Sequence, residues 1–223
     1  MSSMLRYFLY ASPLIVSAAA IAASLAPELP EGRSLAQVTP APAVSAVSSN
    51  LAAAIDSWDR LRQADTLGFS DYAGFMLAHP GWPGEARIRR LAEIKSDLPG
   101  VPPAMIVSFF TRFEPQSAAA KARFAEALAS TGRDLDARVA ARAAWIAGNL
   151  QPDVEARLLA RFGTSFTPAD QDQRMERLLM SRATTAAQRQ LSLVSPARRA
   201  LFDARIALQT RRPDAATVAD TLG

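Results

Sequence analysis

Apolar residues recur along most of this chain at steps of three and four, the spacing that gathers them on one face of a helix. Between 103 and 114 the stripe is Met105, Ile106, Phe109, Phe110 and Phe113, and between 152 and 163 it is Val154, Leu158, Leu159 and Phe162. Between 133 and 150 it reads Leu135, Val139, Ala143, Ile146 and Leu150, with steps of 4, 4, 3 and 4. No stretch alternates polar and apolar residues long enough to suggest a half-buried strand. The pattern predicts an all-α fold from about residue 50 onward.

The breaks between these stripes carry helix signals. Thr167-Pro168 and Ser195-Pro196 each pair a capping hydroxyl with a proline at the first helical position, where the missing N–H is harmless and φ is already suitable. Ser117 is a further cap, Gln151-Pro152 and Arg212-Pro213 open helices less ideally, and Gly132, Gly148 and Gly163 stand where helices should end in a left-handed residue. Starts at 117, 133, 151, 167, 183, 195 and 213 follow one another at steps of 16, 18, 16, 16, 12 and 18. Two helices therefore occupy about 32–34 residues, the pitch of stacked helix hairpins. The expected architecture is an irregular α-α superhelix, a solenoid of short antiparallel hairpins over 50–223, with a compact bundle as the alternative.

Composition sharpens this picture. The chain of 223 residues contains 46 alanines, which favour helix and let helices approach closely. It has no cysteine and one histidine, which excludes a disulfide scaffold, a thiol nucleophile and a histidine-based metal cluster. Of the 25 basic residues all but Lys95 and Lys121 are arginine, against 21 acidic residues, for a net charge of +4. Acids alternate with bases and no basic block occurs, so nucleic acid is not an expected partner. Glu85 and Arg89, Asp134 and Arg138, Asp153 and Arg157, and Asp170 and Arg174 stand at the i,i+4 spacing of helix-surface ion pairs. Arg142, Arg161, Arg177, Arg182, Arg198, Arg199, Arg211 and Arg212 have no obvious local partner. Arginines lining a concave face suit a carboxylate-bearing polymer.

The first 36 residues have the form of a secretory signal. Arg6 provides a short positive region, Leu14 to Leu25 is an uncharged apolar run, and Ser34-Leu35-Ala36 places small residues before a cleavage point at Gln37. The apolar run has 12 residues. A bilayer span takes about 20, so no stable membrane span is expected after cleavage, and retention as an N-terminal anchor is the alternative. Residues 37–49 (QVTPAPAVSAVSS) read as a Pro/Ala/Ser-rich linker. The expected location is the periplasm.

Chemistry is scarce. His79-Pro80-Gly81-Trp82-Pro83-Gly84 is a tight loop in which Trp82 is either a stacking platform for a ligand or a plug between helices. Trp58 and Trp145 fall on apolar helix faces. Glu126 and Glu155 are isolated on charged faces, and no carboxylate pair, phosphate loop or metal-ligand cluster occurs. No catalytic residue and no cofactor follow from these residues.

Several segments resemble the N-terminal helical domain of the soluble lytic murein transglycosylases. They are WDRLRQADTLGFSDYAGFMLAHPGWPGE (58–85), RRLAE (89–93), FFTRFEP (109–115), ALASTGR (127–133), ARVAARAAWIAGNL (137–150) and TPADQDQRMERLL (167–179). The likeness spans about residues 50–210, and its most specific parts are Tyr72–Glu85 and Arg142–Leu150. It implies a periplasmic protein acting on peptidoglycan, in a family that cuts between N-acetylmuramic acid and N-acetylglucosamine to leave a 1,6-anhydro end. In that family the cutting Glu lies in a Glu-Ser motif of a following lysozyme-like domain. None of the eight Glu residues here precedes a Ser, so no catalytic position carries over. The resemblance thus implies the helical scaffold without its cutting domain, C-terminally incomplete and inactive alone. Its partners would be glycan strands and the missing lysozyme-like domain, with Trp82, Arg142, Arg161 and Arg177 as binding residues.

Overall fold

The computed structural model describes residues 42–220, with no side-chain detail for 42–49 and Ala219. The expected signal segment and residues 37–41 lie outside the described residues. Every regular element among the described residues is helical: α1 (Pro42–Gln63), α2 (Phe69–Ala78), α3 (Glu85–Lys95), α4 (Pro103–Arg112), α5 (Ala118–Ser130), α6 (Asp134–Ile146), α7 (Pro152–Phe162), α8 (Pro168–Met180), α9 (Thr184–Gln190), α10 (Pro196–Thr210) and α11 (Ala215–Asp220). A 3₁₀ turn, Gly163–Ser165, follows α7. Helix α1 begins at Pro42, inside the segment 37–49 that reads as a linker, because Ala and Ser continue a helix once proline has opened it.

Two of the three capping hydroxyls work as their chemistry requires; Ser195 precedes α10 but makes no cap hydrogen bond, because its hydroxyl donates to Asp172 instead. Thr167 Oγ1 accepts from the Asp170 N–H at 3.2 Å while Asp170 Oδ2 accepts from the Thr167 N–H at 2.9 Å, a reciprocal capping box. Ser117 Oγ accepts from the Ala120 N–H. Gly132 and Gly148 end their helices at φ 78° and 120°, a region that costs other residues dearly. Gly163 does not: its φ is −54° and it opens the 3₁₀ turn instead.

The buried side chains form three clusters in chain order. The first joins α1–α5 through Leu61, Phe69, Tyr72, Met76, Ile88, Ile106, Phe109 and Phe110. The second joins α5–α7 through Leu128, Trp145, Val154, Leu158 and Phe162, and the third joins α8–α10 through Met175, Leu178, Leu179, Phe202 and Ile206. Each full burial of such a side chain contributes about 1.5–3 kcal/mol. Val107 and Phe124 pack on both of the first two clusters, so these share a wall. Between them α5 and α6 meet along alanines: Ala122 and Ala125 on one helix, Ala137, Ala141 and Ala144 on the other, all buried. Methyl side chains allow the close approach that larger residues would prevent.

The faces of α4 and α7 are those the sequence predicts, since Ile106, Phe109, Phe110, Val154 and Leu158 are all buried. The face of α6 is not. Leu135 is 77% exposed and Val139 71%, while Ala137, Ala141, Ala144 and Trp145 face the core. The indole and the fit of alanines against α5 outweigh two aliphatic side chains, because Trp145 alone removes more apolar area from water than either of them.

Alternate helices are tied by reciprocal polar contacts. In α1 and α3, Arg87 Nη1 donates to the Leu61 carbonyl at 3.1 Å, near the C-terminus of α1, and Trp58 Nε1 donates to the Pro83 carbonyl at 2.7 Å, just before α3. In α3 and α5, Arg123 Nε donates to the Ser96 carbonyl at 3.0 Å, and Glu93 accepts from the N–H groups of Gln116 and Ser117 and from the Ser117 hydroxyl. In α8 and α10, Gln209 donates to the Leu179 carbonyl at 2.9 Å, and Asp172 accepts from the Ser195 N–H and hydroxyl. Helices α6 and α8 repeat the device, described below. Terminal helix carbonyls lack intrahelical partners and carry partial negative charge, so a donor from the next-but-one helix satisfies both.

Candidate functional site

Trp82 sits where α2 turns into α3. Its ring meets those of Trp58, Phe75 and His79 at centroid distances of 6.2, 5.4 and 5.4 Å. Half-buried and edge-on to two of these rings, it packs against the first core cluster and plugs the helix junction. Trp58 is likewise only half-buried, with the Arg62 guanidinium 4.9 Å from its ring centre.

The most heavily constrained group is Arg174, on α8. Its side chain is 0% exposed, with the guanidinium carbon 4.0 Å from the Trp145 ring centre. Nη1 donates to the carbonyls of Trp145 at 3.0 Å and Gly148 at 2.6 Å, at the C-terminus of α6, and Nη2 donates to Glu155 at 3.1 Å. Glu155 also takes a bond from Arg189 on α9 at 3.0 Å. The indole N–H of Trp145 donates to Gln171, which accepts from Gln190 as well. The Phe166 ring stacks on that of Trp145 with centroids 5.0 Å apart. Burial pushes Arg174 down to about 10, with the Glu155 carboxylate opposing the shift. This network joins α6, α7, α8 and α9, and its central guanidinium is closed to solvent: it is a structural joint.

Arg142 completes the α6–α8 tie. Its Nε donates to Asp170 Oδ1 at 2.6 Å, so an arginine without a local partner in sequence has one 28 residues away. Burial opposes the Asp170 carboxylate, yet the Thr167 N–H, Arg142 and the Thr167 hydroxyl together hold its pKa below the usual carboxylate value. Arg198 pairs with Glu176, and Arg212 with Asp203 and Asp214, so these two are also accounted for.

Of the four helix-surface pairs expected at i,i+4, Asp153 and Arg157 meet at 2.8 Å. Glu85 instead accepts from the Gly81 N–H at 2.7 Å, and Arg89 donates to the Glu114 carbonyl and faces Glu93. Asp170 and Arg174 turn to the partners named above, and Asp134 makes no ion pair with Arg138 among the described residues.

The outer face of α6 is one of the places where large apolar side chains face solvent. Leu135 and Val139 lie exposed on it, with Arg138 and Arg142 at neighbouring positions of the same helix. Val139, Ala140 and Ala143 form one side of a cavity of about 350 Å³ whose other walls include Phe124, Leu128, Lys121 and Glu114. Arg138 lines a second, smaller recess of about 210 Å³ with Arg161, Phe162, Thr164 and Ser165. Neither Arg138 nor Arg161 has a carboxylate within ion-pair distance among the described residues. Sequence reasoning singled out Arg161 and missed Arg138, because Asp134 one turn earlier offered it an apparent partner.

The four residues proposed from sequence do not converge. Trp82 belongs to the α2–α3 junction, Arg142 pairs with Asp170 in the first turn of α8, Arg161 lines the smaller recess, and Arg177 stands exposed on α8 with its Cβ against Gly148. No group of three or more acidic or histidine side chains suited to a metal ion occurs among the described residues, and no helix among them is long and apolar enough to cross a membrane. Comparison with family models, with curated proteins and with solved structures found no match.

Proposed function

We propose that this chain is the non-catalytic helical scaffold of a periplasmic lytic-transglycosylase system, holding peptidoglycan glycan strands for a lysozyme-like cutting domain. The observation that carries this reading is the run from Trp58 to Glu85, whose aromatic and proline pattern is the most specific part of the resemblance. Its residues make a coherent unit here: Trp58, Phe75, His79 and Trp82 lock the α2–α3 turn. The regular succession of short helices and the alternate-helix ties are consistent with a superhelical stack. The glutamates are already engaged in structure at Glu85, Glu93, Glu126, Glu155 and Glu176, which is why cutting is assigned elsewhere.

Purified chain incubated with sacculi tests this reading. Sedimentation with the sacculi and no release of anhydro-muropeptides are expected; failure to sediment would overturn it, and release would overturn the non-catalytic assignment. A second reading is a periplasmic adaptor that binds a protein, favoured by the exposure of Leu135 and Val139. A stoichiometric protein partner retained without peptidoglycan supports that reading over the first.

A further inference from the structure

We propose that the recess between Arg138 and Arg161 is a binding site for peptide carboxylates, the acidic groups of a short peptide attached to the bound polymer. This deepens the scaffold reading and rests on it.

Two exposed arginines, Arg138 and Arg161, line one small concavity, and neither is neutralised by a carboxylate among the described residues. Eleven other arginines of the described chain find acidic partners, among them Arg142, Arg157, Arg174 and Arg212. Two like charges sharing a recess repel one another, and an anion between them removes that repulsion. Thr164 also lines the recess, and its hydroxyl, without a partner among the described residues, is able to donate to an anion. Ser165 cannot, since its hydroxyl already donates to the Phe162 carbonyl at 2.6 Å. Arg161 is steadied by the Phe162 ring, 5.8 Å from its guanidinium carbon.

The surroundings select the class of anion. The C-terminus of α7 ends at the recess; its partial negative charge opposes any anion, and opposes a compact dianion such as phosphate more than a singly charged carboxylate. A carboxylate spreads a single charge over two oxygens that match an arginine fork. Beside Arg138 on α6 lie the exposed aliphatic side chains of Leu135 and Val139, which suit the methyl and methylene groups of a small peptide. Carboxylates on an aliphatic chain fit both features together.

The experiment measures fluorescence anisotropy of a labelled alanyl-isoglutamyl dipeptide with free carboxylates, beside the same dipeptide with its carboxylates amidated. The expected result is binding of the free acid and at least about tenfold weaker binding of the amide. In the Arg138→Ala/Arg161→Ala protein the free acid should bind at least about tenfold more weakly, with the melting temperature unchanged. Equal binding of acid and amide, or undiminished binding to the double variant, overturns the proposal. Inorganic phosphate displacing the peptide at equal concentration overturns the carboxylate assignment. Sacculus binding without any binding of the free acid defeats this site and leaves the scaffold reading standing; loss of sacculus binding by the unaltered chain defeats the scaffold reading first.

Discussion

Replacing Glu155 by methionine should destabilise the chain more than replacing Arg174 by methionine, although the two side chains form one ion pair. The difference follows from what each removal leaves behind. Without Glu155, the guanidinium of Arg174 stays buried at 0% exposure with only carbonyls and the Trp145 ring around it. An uncompensated buried charge costs about 3–5 kcal/mol, and this site belongs near the upper end. Without Arg174, Glu155 keeps Arg189 at 3.0 Å, so its charge remains paired. The loss is then two carbonyl hydrogen bonds and the ring contact, about 2–3 kcal/mol. In the double variant no charge is buried, and Arg189, whose side chain is 38% exposed, is free to turn to water. Its cost should fall to about 2–3 kcal/mol, well below the sum of the single changes. Urea unfolding followed by tryptophan fluorescence reads these values. Calorimetry should show the Glu155→Met protein melting about 8–20 °C lower, at roughly 2–4 °C per kcal/mol for a chain of this size. Additive costs in the double variant, or a Glu155→Met cost under about 1 kcal/mol, would refute the reasoning.

Three further outcomes follow from the same contacts. Glu93→Ala removes the acceptor of three hydrogen bonds at the start of α5 and should cost about 2–4 kcal/mol, with hydrogen exchange accelerated first in α5; unchanged protection there would contradict the alternate-helix tie. Trp82→Ala should lower stability by about 2 kcal/mol through lost ring packing, so a variant of unchanged melting temperature that no longer bound sacculi would restore Trp82 as a ligand platform. Asp170 and Glu176 have folded pKa values below their ordinary 3.8 and 4.5, although burial opposes both; hydrogen bonds from Thr167 and Arg142 in one case, and from Arg205 and Arg198 in the other, outweigh it. Their stabilising contribution is therefore present above the ordinary values and disappears as pH falls through the lowered ones, and an acid titration of unfolding free energy in Asp170→Asn should show a shallower slope there.

Helix positions were legible because they depend on local chemistry. A capping hydroxyl, a proline at the first helical position, or a glycine that tolerates positive φ acts within four residues; the helices after Thr167, Ser195 and Gln151 begin at such prolines, and of these three residues only Thr167 caps its helix through its side chain. The face that each helix buries was legible only where bulky residues chose it. Phe109, Phe110 and Leu158 left α4 and α7 no other option. In alanine-rich α6 several faces are nearly equivalent, and α5 together with Trp145 decided the matter, turning Leu135 and Val139 outward. The same holds for charge. Asp153 and Arg157 meet as neighbours on one helix, but Arg142 and Asp170, or Glu93 and Ser117, lie 28 and 24 residues apart and meet only when alternate helices pack. An i,i+4 pair on a solvated surface is worth about 0.2–0.5 kcal/mol, whereas the terminal N–H and C=O groups of a buried helix end cost more than that when unmet, so the arginines and acids go to the helix ends. Sequence thus determined where most of this chain's helices begin, and tertiary packing decided which side chains became its joints and which, like Arg138 and Arg161, have no acidic partner among the described residues.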